Sequence, residues 1–284
     1  FHRPKAGLFL GEGLDCCGKV TVCDIGIAAE WDDAAGMAVC NRGDRLLPAR
    51  RRNTHKGSYG RVLVLGGSVG MAGAAALCAT AALRAGAGLV TVACPSAILP
   101  VVQTLCPCAT CLPLPEQDPQ AAWEVLSAAM ARADALVAGC GLGRGELVAA
   151  LMAKLLPALC RGELPAVLDA DALNEMADSA QSAPQSGALR LPDCVTLTPH
   201  VGEAARLLNQ PVSQVETEQA AAARALCQKY GGSVVLKSAS SVLAAADGEA
   251  INLFGTAAMA KGGSGDTLSG VLGAMKAGQK AYGC

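Results

Sequence analysis

The residues best suited to chemistry lie near the C-terminus, where residues 261–267 read KGGSGDT and an apolar run follows. Glycines bend the backbone tightly and let a ligand approach it closely. The apolar run predicts a helix that begins near Gly265 or Asp266, and the start of a helix offers unpaired amides and a positive dipole end to an anion. Asp266 would place a carboxylate beside that anion, which is typical of chemistry on a phosphorylated group. The alternative is that Asp266 only caps the helix and the glycines only form a turn.

A second set of polar and glycine residues follows the predicted strands and does not precede them. These residues are Gly66, Gly67, Gly141, Asp169, Asp171, His200, Glu203 and Lys237. In open α/β sheets, ligands bind at the carboxyl ends of the strands. We therefore expect this set to converge on one edge of a sheet, although its members span most of the chain. The glycines after residues 61–65 match neither the dinucleotide-fold spacing nor the lysine-bearing P-loop.

Short apolar strands alternate with helical segments from residue 61 onward. Strands are predicted at residues 61–65, 89–93, 135–139, 166–168, 195–197 and 234–236, and helices from about 72 to 84 and at 97–105, 121–132, 146–159 and 220–229. This repetition predicts an α/β fold with a mostly parallel central sheet and helices on both faces. Residues 241–246 and 250–254 predict an added hairpin around Asp247 and Gly248.

Composition and charge exclude several classes of protein. The chain has 284 residues, is 52% apolar and carries a formal net charge of −1 at pH 7, so nothing favours nucleic acid or a membrane surface as a partner. The most apolar stretch, residues 71–102, is interrupted by Arg84, several glycines and Pro95, so it does not predict a membrane span. We therefore expect a cytoplasmic protein with neither a nucleic-acid nor a membrane partner.

The 14 cysteines are scattered along the chain, and several lie inside apolar segments, where cysteine behaves as a small hydrophobic residue. Cys106, Cys108 and Cys111 lie close together, which is the pattern that favours a metal site. A structural zinc site needs four ligands, however, and the three histidines lie elsewhere in the sequence. Reduced thiols in a cytoplasmic protein are the simpler interpretation, and no metal ligand is assigned.

The two ends of the chain differ from its middle. Residues 19–27 alternate like a strand, and residues 47–53 are basic and polar, which is typical of a linker. We interpret residues 1–46 as the remnant of an upstream domain plus linker, and residues 47–284 as the main domain. Because the sequence stops one predicted helix past Asp266, we expect the main domain to be truncated at its C-terminus.

Together these motifs resemble the ADP/ATP-dependent NAD(P)H-hydrate dehydratases of the ribokinase-like superfamily. The matching blocks are HKGSYG (55–60), GAA (73–75), GCGLG (139–143), DADALN (169–174), LTPHVGE (197–203), VLK (235–237) and KGGSGDT (261–267). The resemblance covers about residue 47 to the end, and the order and variety of the blocks make it specific. Residues 1 to about 30 resemble the end of the NAD(P)H-hydrate epimerase domain that bacteria often fuse in front.

The resemblance implies a repair reaction on damaged nicotinamide nucleotides. Enzymes of this family use ADP, or ATP, to dehydrate the S epimer of hydrated NADH or NADPH, and they release AMP or ADP with phosphate. Mg2+ is expected with the nucleotide, and a homo-oligomer is expected as the assembly. Ser238 and Ser241 stand where relatives often carry glycine and threonine, and Val201 stands where proline is common. These departures affect the nucleotide preference more than the reaction.

The resemblance also implies roles for particular residues. Asp266 would be the catalytic base that accepts the hydroxyl proton. The implied nucleotide-binding residues are Lys237, Ser238, Ala239, Ser240, Ser241 and Gly265, and the implied substrate contacts are Ala74, Gly141, His200 and Asp266. The implied anion hole consists of the amides of Gly263, Ser264 and Gly265.

Simpler alternatives remain open for some residues and for the whole protein. His200 could merely start a helix after Pro199, and Asp169 and Asp171 could cap the helix that follows them instead of binding Mg2+ or a phosphate network. The alternatives for the protein are a hydroxymethylpyrimidine or hydroxyethylthiazole kinase of the same superfamily, and a nucleotide-binding fragment without turnover. The LTPHVGE block at residues 197–203 argues against the kinase.

Overall fold

The computed structural model describes residues 3–23, 25–27, 36–40, 50, 52–162, 164–182 and 189–282. Among these residues, ten strands form one sheet in the order β1-β10-β9-β8-β7-β6-β5-β2-β3-β4. The strands are β1 (Ala38–Val39), β2 (Arg61–Leu65), β3 (Leu89–Pro95), β4 (Thr110–Leu114), β5 (Ala135–Ala138), β6 (Ala166–Leu168), β7 (Leu191–Leu197), β8 (Gly231–Leu236), β9 (Ser241–Ala245) and β10 (Gly248–Asn252).

The sheet is mostly parallel, as the sequence predicts. Strands β2 to β8 all run in one direction, and β9 is antiparallel to β8 and β10. The predicted hairpin is confirmed, because Gly248 pairs with Ala245 across a two-residue turn. Strands β3 and β4 lie on one side of β2, whereas β5 to β8 lie on the other. Such a switch in strand order opens a crevice at the carboxyl ends of the strands.

Helices cover both faces of this sheet. They are α1 (Gly13–Cys16), α2 (Ala72–Ala85), α3 (Leu99–Leu105), α4 (Pro119–Met130), α5 (Glu146–Arg161), α6 (Asp171–Ser182), α7 (Val201–Leu208), α8 (Val212–Thr217), α9 (Gln219–Tyr230) and α10 (Ser264–Tyr282). Side chains alternate along a strand, so Leu63 and Leu65 of β2 enter a core built with α4 to α9. Val62 and Val64 enter a second core built with α2, α3 and α10. Two cores with the sheet between them confirm the predicted α/β fold.

Helix α10 lies very close to its neighbours because glycines face them. A Cβ at Gly270 would lie 2.1 Å from the carbonyl oxygen of Cys78 in α2, and one at Gly273 would lie 2.4 Å from Val137 in β5. Glycine is therefore required at both positions for this packing. The close packing fixes the first turn of α10, which carries Asp266, over the ends of the strands.

Several elements differ from the sequence-based expectations. The strand predicted at residues 19–27 is wrong, since the described residues 19–23 and 25–27 have irregular structure and pair with no strand. Strand β1 instead pairs with β10, where Ala38 lies opposite Ala250. The assignment of residues 1–46 to an upstream domain stays a prediction, and most of the linker at residues 47–53 lies outside the described residues. In the described part of the chain, no helix is long and apolar enough to cross a membrane.

Candidate active site

The carboxyl edge of the sheet, where the parallel strands β2 to β8 end, brings most of the predicted residues together. Lys237 follows β8, His200 lies three residues after β7, and Asp169 follows β6. The glycine loop at residues 139–143 follows β5, and Gly66 follows β2. These strands are consecutive neighbours in the sheet, so residues far apart in the sequence lie side by side, as expected for a ligand site in this class of fold.

Lys237 and Asp169 form an ion pair at the centre of this edge. The Lys237 Nζ lies 2.6 Å from Asp169 Oδ1, and the Ser269 hydroxyl donates to Asp169 Oδ2 at 2.8 Å. The Asp169 side chain is only 2% exposed, whereas that of Lys237 is 21% exposed. The carboxylate is therefore fully engaged by the protein, and the ammonium keeps a side that solvent or a ligand can reach.

Asp266 is half-buried in the first turn of α10 beside this ion pair. Burial raises the pKa of the Asp266 carboxyl above its ordinary value, and the nearby Asp169 carboxylate adds to that rise. A hydrogen bond from the Cys140 thiol and the charge of Lys237 oppose it. A raised pKa makes an ionised carboxylate a better proton acceptor, which is the property that a general base needs.

The first turn of α10 leaves backbone amides available to an anion. Gly263 adopts φ +87° just before the helix, and the amide of Ser264 donates to Lys261 O at 3.4 Å. Within the described part of the chain, the amides of Gly265 and Asp266 donate to no protein acceptor. Unpaired amides at the N-terminus of a long helix favour a phosphate or another anion.

The loop at residues 237–241 connects β8 to β9 and is fixed by its own hydroxyl groups. The Ser238 hydroxyl lies 2.8 Å from both Gln219 Oε1 and Ser240 O, and the Ser241 hydroxyl donates to Ser238 O at 3.5 Å. Ser240 is buried. The loop is therefore held in shape without a ligand. Sequence reasoning missed Gln219, because nothing in the start of an alanine-rich helix marks it as a partner of this loop.

The glycine loop after β5 joins two predicted substrate contacts. Gly141 has φ +59°, and a Cβ there would lie 2.7 Å from the Cβ of Ala74 in α2. The Ser68 hydroxyl donates to Gly141 O at 3.0 Å, and the Gly143 amide donates to Asp171 Oδ2 at 2.7 Å. Ala74 and Gly141 thus lie in contact on one wall of the edge, and Asp171 holds the loop that carries Gly141.

The structure does not support helix capping as the role of the Asp169 and Asp171 side chains. Their carboxylates engage Lys237, Ser269 and the Gly143 amide instead of the first amides of α6. Ala170 between them adopts φ +47°, a left-handed conformation that is unfavourable for a residue with a side chain. Strain of this kind is concentrated at functional sites.

His200 caps α7, as the simpler alternative proposed. Its Nδ1 accepts from the amides of Gly202 and Glu203 at 3.0 and 3.3 Å, and its own amide donates to Glu203 Oε2 at 2.8 Å. The His200 side chain is nevertheless 60% exposed at the carboxyl edge, beside Lys237, whose amide donates to Pro199 O at 2.7 Å. Glu203, which was expected at this edge together with His200, completes the cap as the third helical residue of a capping box.

A cavity of about 500 Å3 lies elsewhere, at the opposite end of β8. Its wall includes Arg190, Arg224, Gly231 and Glu249. Arg224 and Glu249 neutralise each other in an ion pair across it. None of the predicted site residues lines this cavity, so the carboxyl edge is the better candidate for chemistry.

Comparison with known proteins identifies a family that this chain matches. A family model described as NAD(P)H-hydrate dehydratase matches residues 62–282. The ADP-dependent (S)-NAD(P)H-hydrate dehydratase of Neisseria meningitidis is 36% identical over 83% of this chain and 75% of that protein. A bifunctional NAD(P)H-hydrate repair enzyme of Moorella thermoacetica is 37% identical over 96% of this chain and 52% of its own length. The chain thus spans about half the length of the bifunctional relatives.

Solved structures support the same fold. A ribokinase-like superfamily protein of Enterococcus faecalis matches with a TM-score of 0.69 and 25% identity, over 83% of this chain and 78% of that one. The ADP/ATP-dependent NAD(P)H-hydrate dehydratase of Bacillus subtilis, co-crystallised with ATP and Mg2+, matches with a TM-score of 0.66 and 29% identity, over 84% of this chain and 80% of that one. The fold is therefore ribokinase-like.

Proposed function

The chain belongs to the NAD(P)H-hydrate dehydratase family, and from this premise we propose that it dehydrates the S epimer of hydrated NADH or NADPH. ADP, or ATP, drives the reaction and is released as AMP or ADP with phosphate. One observation carries the proposal: the half-buried Asp266 carboxylate, with its raised pKa, lies beside the unpaired amides of α10 and the Lys237 ammonium. Phosphoryl transfer to a hydroxyl requires a base positioned beside a phosphate-binding site.

In the first step, Asp266 accepts the proton of the ring hydroxyl while the hydroxyl oxygen attacks the terminal phosphorus of ADP. A new P–O bond forms, and the bond from that phosphorus to the bridging oxygen breaks, so AMP leaves with the electron pair. In the second step, phosphate leaves the ring carbon with its electron pair. The neighbouring ring carbon gives a proton to water, and the electrons of that C–H bond form the C=C bond that restores the dihydropyridine. Phosphorylation is needed because hydroxide is a poor leaving group.

Positive charge and backbone donors at the carboxyl edge serve the transferring phosphoryl group. The amides of Gly265 and Asp266 can donate to its oxygens, together with that of Gly263 from the predicted anion hole. The third amide of that predicted set, on Ser264, makes a long bond of 3.4 Å to Lys261 O, which it would give up to a phosphate oxygen. The Lys237 ammonium lies against Gly265, since a Cβ there would be 3.2 Å from Nζ. Fixed donors of this kind stabilise developing charge without reorganisation during the reaction.

The hydrated dinucleotide would bind on the wall that Ala74 and Gly141 share, with His200 facing the same edge. The Nδ1 of His200 accepts backbone hydrogen bonds, so a neutral imidazole carries its proton on Nε2. His200 therefore offers a hydrogen-bond donor to the substrate, and its capping role fixes the direction of that donor.

The adenine nucleotide would bind the fixed loop at residues 237–241, which includes Ala239 and the buried Ser240. The name of the Neisseria relative supports ADP, and the Bacillus co-crystal supports ATP with Mg2+ as a second choice. A homo-oligomer in the cytoplasm is the expected setting, and light scattering on the purified protein tests the assembly.

Mg2+ suits this site when it arrives with a nucleotide. Among the described residues, no group of three His, Cys, Asp or Glu side chains could hold a metal ion. Mg2+ commonly binds through substrate phosphates and water with only one or two carboxylates, so a dedicated protein cage is not needed. When bound, it would neutralise part of the phosphate charge. Of the nearby carboxylates, Asp266 is only half-buried, whereas both Asp169 oxygens are taken by Lys237 and Ser269.

The decisive experiment incubates the protein with ADP and hydrated NADH and follows the absorbance band of reduced nicotinamide. We expect the absorbance to recover, with AMP and phosphate formed in equal amounts, and Asp266→Asn serves as the control. Phosphoryl transfer to a pyrimidine or thiazole alcohol without recovery of absorbance would instead identify a kinase. Binding of ADP with neither reaction would identify a nucleotide-binding fragment.

A further inference from the structure

Asp169 is a buried carboxylate whose hydrogen bonds are all internal to the site. It is 1% exposed, its Oδ1 accepts from Lys237 Nζ at 2.6 Å, and its Oδ2 accepts from the Ser269 hydroxyl at 2.8 Å. Ser269 is itself fully buried. Such a carboxylate cannot reach a substrate, and it has no oxygen directed toward a metal ion. Its chemical effect must therefore pass through its two partners.

We propose that Asp169 and Ser269 are positioning residues that hold the Lys237 ammonium at the N-terminus of α10, where it contacts the phosphate chain of the nucleotide. The ligand is a nucleoside diphosphate, and its identity rests on the proposed function. Neither Asp169 nor Ser269 needs to touch the ligand for this role.

The spacing of Gly265 and Ser269 along α10 explains how one helix positions Lys237 for its contact with phosphate. Ser269 lies four residues after Gly265, so both residues are on the same face of the helix. Lys237 Nζ and Asp169 Oδ2 lie 3.2 and 3.6 Å from the position of a Cβ on Gly265. The face that supplies the unpaired amides thus also supplies the hydroxyl that orients Asp169. A Cβ at position 265 would press against the ammonium and displace it by a few tenths of an ångström.

The remaining donors of Lys237 are available for the ligand. An ammonium has three donor protons, and Asp169 takes one of them. The Lys237 side chain is 21% exposed, so other donors can face the open edge. Lysine side chains lose considerable rotamer entropy when they are fixed. Because Asp169 fixes the chain during folding, little of this entropy is lost on binding, and the affinity for phosphate increases.

The experiment compares ADP and AMP affinities by calorimetry, because AMP lacks the terminal phosphate. Since a hydrogen bond to a charged group is worth more than a neutral one, Lys237→Met should weaken ADP binding by about 10- to 100-fold, and Ser269→Ala by about 3- to 10-fold. AMP affinity should change less than about twofold in Ser269→Ala. The matched control is Thr196→Val, which removes a buried hydroxyl bonded to Ser233 in the same sheet without contact to Asp169, and it should leave both affinities unchanged.

A double variant separates a loss of ADP affinity from a loss of stability. Lys237→Met leaves the Asp169 carboxylate buried without its ion partner, which destabilises a protein strongly. The neutral pair Asp169→Asn with Lys237→Met removes both charges and should recover the thermal stability but not the ADP affinity. If Asp169 and Ser269 act through Lys237, adding Ser269→Ala to this neutral pair should cost no further ADP affinity. A further loss of more than about threefold would overturn the proposal.

The remaining outcomes separate this proposal from the proposed function. Equal losses of ADP and AMP affinity in Ser269→Ala would overturn the positioning role, because a general structural defect would be the cause. Absence of ADP binding by the unmodified protein would overturn it as well. If the protein binds ADP with the expected pattern but does not turn over hydrated NADH, the proposed function fails and the positioning role is supported.

Discussion

Glu203 holds His200 at two points, with its Oε2 accepting the His200 amide at 2.8 Å and its Oε1 lying 3.4 Å from the imidazole Nε2. Glu203 is only 7% exposed, and burial raises the pKa of its carboxyl despite the opposing hydrogen bond from the His200 amide. His200 therefore has two separable roles. Its Nδ1 caps α7, and its Nε2, on a side chain that is 60% exposed, lies within reach of both Glu203 and a substrate at the carboxyl edge.

Replacing His200 separates these roles. Asparagine is a preferred N-cap, whereas alanine is a poor one and costs about 0.5–2 kcal/mol in stability. His200→Asn should therefore keep the thermal stability near that of the unmodified protein, and His200→Ala should lower it. Both variants should raise KM for hydrated NADH by roughly 3- to 10-fold through loss of one hydrogen bond. An unchanged KM in His200→Asn would reduce His200 to a helix cap.

Replacing Asp266 tests its role as the base. Asp266→Asn keeps the size of the side chain but removes the proton acceptor, so turnover should fall by about two to four orders of magnitude. ADP affinity should stay nearly the same, because the amides of α10 and Lys237 are unchanged. Rapid-quench measurement of AMP formation together with calorimetry gives both quantities. Normal turnover by this variant would show that the proton goes elsewhere.

The same substitution should stabilise the protein at neutral pH. Burial raises the folded-state pKa of Asp266 above the unfolded value of about 3.9. Its contribution to stability is therefore fully present below that value and is lost as the pH rises through the folded pKa. The amide of Asp266→Asn stays neutral throughout, so the free energy of unfolding of this variant should exceed that of the unmodified protein at pH 7, and the difference should vanish toward about pH 4. A difference that does not change with pH would contradict this linkage.

Local sequence signals predict most of the sheet but not its edges. Strand β5 is an apolar run that stops at Gly139, and such a strand in the centre of a parallel sheet is easily recognised. Strand β4 was not predicted, because it contains Pro113 and mostly exposed or half-buried residues and lies beside β3 at the edge of the described sheet. The strand predicted at residues 19–27 failed for the opposite reason. Its sequence alternates like that of a strand, but alternation alone does not provide a neighbouring strand to pair with.

The same distinction applies to the site. Asp266 and Lys237 could be predicted because each follows a recognisable local pattern, a glycine turn before a helix or the end of a buried strand. Ser269 could not be predicted, because its hydroxyl gains its partner, Asp169, only when α10 packs across the sheet, and the two residues are 100 positions apart. Gln219 has the same kind of distant contact, with Ser238.

Removing the Cys140 thiol should shift the pH dependence of the reaction. A contact with Cys78 and burial keep the pKa of Cys140 well above its ordinary value, so the thiol stays protonated and donates to Asp266. This hydrogen bond lowers the pKa of Asp266. In Cys140→Ala the pKa of Asp266 should rise further, and the acidic limb of the kcat/KM profile should move to higher pH. Cys106→Ala, a buried cysteine away from the site, is the control, and equal profiles for the two variants would exclude the thiol from the reaction.

Gly265 allows a test of the distance between α10 and Lys237. The added Cβ of Gly265→Ala would lie 3.2 Å from Nζ, so the ammonium would have to shift by a few tenths of an ångström. Alanine is a better helix former than glycine, so stability should not fall, while ADP affinity should fall by about 3- to 10-fold through a weakened hydrogen bond. Gly73→Ala in α2, where a Cβ would meet nothing within 4 Å, should gain stability without losing affinity. Helix propensity favours alanine at both positions. Loss of ADP affinity in Gly265→Ala but not in Gly73→Ala would therefore mean that position 265 lacks a side chain because the phosphate and the ammonium occupy that space.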